Sequence, residues 1–428
     1  MDSSACLFLA LLRRNMRTVD VEGLVVDSGN NAWVLTSTAL VLMMTLPGLA
    51  LFYAGMVRRM NVLSTMMQSY GAAAVVTVLW ALVGYSLAFS DGGPVNAFVG
   101  GLTHAGLAGI MPETMNGDLP ANLFLMFQLT FAIITVAIIA GAAVERIRFS
   151  AFLIFAAFWL VLVYAPVCHW VWGGGFLGDA GKLDFAGGAV VHINAGVAGL
   201  VLAKVLGPRR GWPGGPLIPD NLVLTLIGAG MLWVGWFGFN GGSALAADGA
   251  AAHAFVTTQI AAATAALTWM ILEWALRGKA SALGAASGAV AGLVAITPAA
   301  GFVPAWAAFI IGAAGAAGAY WGVTGLKRLL KIDDSLDAFG LHGVGGFVGA
   351  VLTGVFAVEA IGGAPGAIEG NLLQVWTQTW GALSVAVYSG AVTFIILFVM
   401  SKFMSLRVSE EAERKGLDTE LHGESVGS

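Results

Sequence analysis

Apolar runs of about 18 residues or more recur along this chain from Ala32 to Met404. A run of that length matches the thickness of a bilayer when helical. A membrane β-barrel would instead show alternating segments of about ten residues. The chain is 58% hydrophobic and only 10% charged, against about 25% charged in soluble domains. The expected fold is therefore an all-α polytopic membrane protein. Eleven spans are expected, with approximate limits 32–53, 64–89, 121–144, 150–170, 189–206, 222–240, 253–275, 283–300, 305–325, 340–357 and 376–404. The last run exceeds what a bilayer needs, so tilt or an extension into the cytoplasm is expected.

Positive charge sets orientation. Arg58/Arg59, Arg146/Arg148, Lys204/Arg209/Arg210, Arg277/Lys279, Lys327/Arg328/Lys331 and the group from Lys402 to Lys415 all fall on one side. Lys182 stands alone in the opposite loops. The amino terminus is expected outside and the carboxyl terminus in the cytosol. Arg13, Arg14 and Arg17 break this rule. They follow an apolar run, the reverse of signal-peptide order; residues 1–29 have no assigned role, and a degenerate leader, an over-called start and an extracellular arm all stay open. Nothing points to nucleic acid. Cys6 and Cys168 are too few for a disulfide framework and too isolated for a metal site.

The loop after the fifth span, GPRRGWPGGPLIPD, divides the core into five spans, five more, and one. Five is odd, so two five-span repeats, about 30–206 and 222–357, would insert with opposite orientation. Such inverted repeats place a site near the midplane. The long last helix, about 376–404, completes a membrane domain spanning 30–405. Small residues three or four apart, as in GAASGAVAG, allow close helix packing.

His192 and His342 lie in the fifth and tenth spans, at equivalent places in the two halves. An ionisable side chain at that depth is a functional-site hypothesis by default. Two imidazoles in contact share one hydrogen bond, one ring donating and the other accepting. Burial disfavours the charged form, and a neutral pair offers donors and acceptors to a small polar solute. Two alternatives remain on these residues alone: independent core histidines, and a haem ligated from two helices.

Several strings then act together: PGLALFYAGMVR (47–58), FQLTFA (127–132), ERIRFSA (145–151), VWGGG (171–175), LDFAGGAVVHINAG (183–196), GWFGFNGGSA (235–244), EWALRGK (273–279), TPAAG (297–301), DAFGLHGVGG (337–346) and LRVSEEAERKGLD (406–418). In order and spacing they resemble the ammonium transporter family (Amt/Mep/Rh), bacterial Amt type, from about Asn30 to Gly423. The resemblance implies ammonium or ammonia transport across the cytoplasmic membrane of a cell, without enzymatic chemistry, cofactor or metal. It implies that His192 and His342 are the family's twin histidines, lining the pore. It implies a recruitment site for the ammonium ion at Trp172, Phe131 and Ser243, and a gate in which Phe131 and Phe239 stack. Phe127 matches the outer vestibule. Asp184, eight residues before His192, matches an aspartate needed for transport. As an Asp at a helix start it suits an indirect, capping role. Trp236 and Tyr164 match pore-associated positions, where each also reads as simple packing.

The resemblance further implies a homotrimer with one pore per subunit, methylammonium as an analogue substrate, and a regulatory tail at 406–428 that packs under the pore. PII-type signalling proteins are partners at that face in the family. Taken alone, the tail reads as solvated, with a short helix at Glu410–Lys415. The acids and bases at Glu145/Arg146/Arg148, Glu273/Arg277 and Asp333/Asp334/Asp337 read as solvated caps and surface pairs. Leu129 and Thr130 depart from the small residues frequent in relatives, and Leu341 occupies a variable position. A sensor and an Rh-like gas conductor are the competing functions. The short tail argues against a dedicated sensor, and the intact Trp172/Ser243 pair against the gas conductor.

Overall fold

The computed structural model describes residues 26–215 and 217–427. The arm's Arg13, Arg14 and Arg17 lie outside the described residues. Eleven helices follow one another: α1 (Ser28–Ala54), α2 (Arg59–Phe89), α3 (Ala121–Ala140), α4 (Phe149–Asp179), α5 (Gly188–Leu206), α6 (Leu222–Gly241), α7 (Gly249–Arg277), α8 (Ala282–Ile296), α9 (Ala305–Leu330), α10 (Phe339–Phe356) and α11 (Leu372–Phe403). Among the described residues ten are long and apolar enough to cross a membrane; α8 is apolar but has only 15 residues. Its helix ends at Ile296, short of the expected run to residue 300, and Pro298 just beyond has no backbone N–H to extend the ladder. The chain is a multi-pass, all-helical membrane protein. The long loop between α2 and α3 adds a minimal hairpin, β1 (Met115–Asn116) with β2 (Leu119–Pro120).

Side-chain caps start several helices: Asp27 on α1, Asn221 on α6, Asp248 on α7 and Ser281 on α8 each accept backbone N–H groups. The core centres on α3, 94% of whose apolar window is buried, against 33% for α11. The outward face of α11 carries Leu383, Val387, Phe394 and Phe398, apolar side chains suited to lipid. Helices α5 and α10 cross in tight contact because neither has a side chain at the crossing. A Cβ on Gly196 would strike the backbone of Gly343.

At one end of the bundle the structure corrects the expectation of solvated charges. Glu145, Arg146, Arg209 and Asp333 are all buried. Glu145 accepts from Arg58 Nε (2.8 Å), Asn61 Nδ2 (2.8 Å) and Arg209 Nη1 (2.7 Å). Asp333 takes Arg209 Nε and Nη2, both at 2.9 Å. Four interhelical loops converge here and exclude water from charges that look terminal when each helix is read alone. Burial raises both carboxyls, but the guanidiniums outweigh it and hold both below the usual carboxylate range. Burial also pulls the Arg146 guanidinium down to about 10.

The tail joins this knot. The helix α12 (Glu410–Lys415) follows Arg407, which pairs with Glu413 at 2.8 Å. Val408 N–H bonds Arg146 O, and Asp418 accepts the N–H groups of Leu63 and Ser64 near the start of α2. Leu417 and Asp418 are buried.

Candidate functional site

The site is built where α5 begins. Gly187 takes φ +112°, a left-handed conformation that favours glycine. The turn lets the Asp184 carboxylate accept four successive N–H groups: Gly187 (3.0 Å), Gly188 (2.5 Å), Ala189 (2.8 Å) and Val190 (3.2 Å). The first turn, Gly188–Ile193, is wide, with i to i+5 geometry, and presents His192. The start of α10 repeats the device. Asp334 accepts from Ala338 N–H (3.1 Å) and Phe339 N–H (2.7 Å), and the wide turn Phe339–Val344 presents His342. Ahead of both α5 and α10 the aspartate precedes its histidine by eight residues. That repeated spacing was the available signal for Asp334, which is buried rather than a solvated cap. Burial raises its carboxyl to about 6, against the opposing pull of the Lys327 ammonium.

The two histidines meet. Their Nδ1 atoms are 3.1 Å apart and the rings lie 22° from parallel. One Nδ1 therefore donates and the other accepts. Direct contact leaves no room for an iron porphyrin between them. Trp236 stacks on His192 at 5.4 Å, and its indole N–H is held by Thr297 Oγ1 at 2.9 Å. Beyond His192, 5.9 Å away, stands Phe239, at the wide turn Phe237–Gly241 that closes α6. Phe239 stacks on Phe131 at 4.3 Å and 20°. Phe131 meets the edge of Trp172 at 5.9 Å.

A cavity of about 340 Å³ opens above this stack, lined by Phe131, Trp172 and Ser243 together with Phe124, Gln128 and Phe185. The last three were not singled out from sequence, although Gln128 sits within FQLTFA. Trp172 is anchored by its indole N–H on Asp184 O at 2.9 Å. The Ser243 hydroxyl donates to Phe239 O at 2.7 Å, so its lone pairs are what it offers the cavity. Phe127 does not line the cavity. It packs beside Phe131 at 4.9 Å, buried. Tyr164 is not drawn into the group either: its ring neighbours are Trp80 and Trp159.

The cavity carries the polar side chains of Ser243 and Gln128; below it the phenyl pair leads directly to the imidazoles. The Asp184 carboxylate is occupied by four backbone N–H groups. Among the described residues no group of three His, Cys, Asp or Glu side chains is placed to hold a metal.

The sequence profile of the Ammonium Transporter Family matches residues 32–426. The ammonium transporter of Bacillus subtilis is 50% identical over 402 residues, covering 93% of this chain and 98% of that protein. The ammonium transporter of Aquifex aeolicus is 52% identical over 404 residues, covering 94% and 93%. The crystal structure of Saccharomyces cerevisiae Mep2 matches with TM-score 0.83 at 37% identity, covering 90% of this chain and 88% of that one. A solved Sensor Amt Protein matches with TM-score 0.86 at 27% identity, covering 92% and 98%.

Proposed function

The chain belongs to the ammonium transporter family, and from that membership we propose that it moves ammonium nitrogen across the cytoplasmic membrane through the file Trp172–Phe131/Phe239–His192/His342. It is a transport protein, not an enzyme. The observation that carries the route is the unbroken sequence of contacts from the cavity, through the stacked phenyl rings, to the paired imidazoles.

Ammonium docks in the cavity against the aromatic faces, an attraction of about 0.5–2 kcal/mol that grows as water leaves. It donates to Ser243 Oγ, whose own hydrogen is committed to Phe239 O. Potassium has no hydrogen to donate, and a hydrated ion does not pass the phenyl stack. Removal from water lowers the pKa of an amine by up to about 3–5 units when burial is complete, so at the gate the guest hands its proton back to the water of the open outer cavity, leaving hydronium outside, and crosses as ammonia. The His192 Nε2, which has no hydrogen-bond partner among the described residues, is available to it. Asp184 acts indirectly by ordering the start of α5 and the Trp172 anchor.

The same reading takes eleven membrane helices as two inverted five-helix halves plus α11, the amino terminus outside and the charged knot in the cytosol. It takes a homotrimer in the lipid bilayer with one pore per subunit, methylammonium as a second substrate, and a PII-type protein as partner at the tail's face. Currents on ammonium and potassium pulses in proteoliposomes test it. The His192→Ala/His342→Ala double variant is expected to lose ammonium selectivity. If its ammonium current, potassium exclusion and uptake all match the wild type, the histidines do not serve the pore.

A further inference from the structure

His169 lies one helical turn before Trp172 and is fully buried. Its Nδ1 is 2.9 Å from Ala88 O and its Nε2 is 2.6 Å from Asn96 O. Both partners are carbonyl oxygens, which only accept. A neutral imidazole has one N–H and one lone pair, so it would hold one carbonyl and repel the other. Ala88 belongs to the last turn of α2, where carbonyls lack helical partners and the dipole is negative, a setting that favours a cation.

Around this ring the loop after α2 is laced to the end of α4. Asn96 Nδ2 bonds Gly174 O (3.0 Å), Trp170 Nε1 bonds Phe98 O (2.7 Å), and Phe176 N–H bonds Ala97 O (3.0 Å). Trp172 stands inside that lacing with its indole fixed on Asp184 O. We propose that His169 holds a proton on each ring nitrogen and is the positioning residue that fixes Trp172 at the mouth of the pore. The second half of this statement rests on the recruitment role given to Trp172 above; the first half does not.

The test uses full-length protein with ¹⁵N-labelled histidine in lipid bilayers. Magnetic resonance at pH 7 is expected to give two protonated ring nitrogens for His169, assigned by their loss in His169→Phe or His169→Gln. One unprotonated ring nitrogen on His169 overturns the proposal. In proteoliposomes, His169→Phe fills the space but donates nothing. Its half-saturating ammonium concentration is expected to rise about fivefold, the worth of one lost hydrogen bond, by more than its maximal current falls. His169→Gln, whose amide brings two N–H groups, is expected to recover part of that rise. An unchanged half-saturation in His169→Phe overturns the positioning role. If His169→Phe does not reconstitute, the ring spectrum assigned with His169→Gln decides. Trp172→Leu separates the two readings: if half-saturation does not change there, recruitment at Trp172 fails, while the spectrum still judges His169.

Discussion

At Ser243 the position of one hydrogen decides what the outer cavity offers. The hydroxyl donates to Phe239 O, in the wide turn Phe237–Gly241, so it presents only lone pairs to the cavity. Ser243→Ala removes that acceptor. The half-saturating ammonium concentration is expected to rise about tenfold, as for a hydrogen bond to a charged group; a titration of current against ammonium reads it. Trp172→Leu is expected to raise it roughly threefold to thirtyfold, the range of a partly desolvated cation–π contact. The residue types at these places were legible in the sequence through their family strings. The direction of the serine hydrogen bond was not, because it depends on a carbonyl four residues back in a wide turn. Nor was the seclusion of Phe127 and Tyr164, since an aromatic one turn from a pore residue looks the same in sequence whether it lines the cavity or backs it.

At the scale of elements, α5 and α10 make the imidazole pair by crossing at Gly196 and Gly343. Gly196→Ala places a Cβ against the Gly343 backbone. Overpacking of this kind costs about 1–3 kcal/mol, and the helices must part at the one place where the Nδ1 atoms touch. The expected result is a lower melting temperature together with loss of ammonium current; a wild-type current would contradict the link between crossing and pair. Asp184→Asn keeps the shape but leaves one oxygen for four N–H groups. About 1–3 kcal/mol is expected for each buried donor left unpaired, read as an earlier thermal transition in detergent. The cap at Asp184 was legible as an aspartate at a helix start. Its counterpart Asp334 was hidden among Asp333 and Asp337, and only the fold separates the acid that caps α10 from the one that binds Arg209.

Across the whole molecule, the buried charges tie four loops and the tail into one body. Arg209→Met takes both guanidinium bonds from Asp333 and leaves Glu145 with Arg58 and Asn61 alone; removal of one partner from a buried pair costs about 3–5 kcal/mol, read as a lower melting temperature. The pH dependence has two opposite parts. Glu145 and Asp333 are held low, so their contribution is present above about pH 4, the unfolded carboxylate value, and is lost as pH falls through the lower folded values. Asp334 is raised to about 6. Its contribution is full below about pH 4 and is lost as pH rises through 6. Asp334→Asn is expected to reduce the change in melting temperature between pH 4 and pH 7; an identical profile in the variant would remove Asp334 from the balance.

The membrane class, the helical segments and the family membership rest on local signals: the length of apolar runs and the order of short strings. Each survives being read one segment at a time, because the bilayer and the hydrogen-bond needs of the backbone act on each segment separately. Tertiary structure decided what depends on two segments at once. It set His192 against His342 and turned terminal-looking charges into a buried knot. It also placed His169 between two carbonyls from another helix and its loop. Those outcomes depend on distances across the bundle, and burial converts the same side chain from a solvated cap into a structural charge.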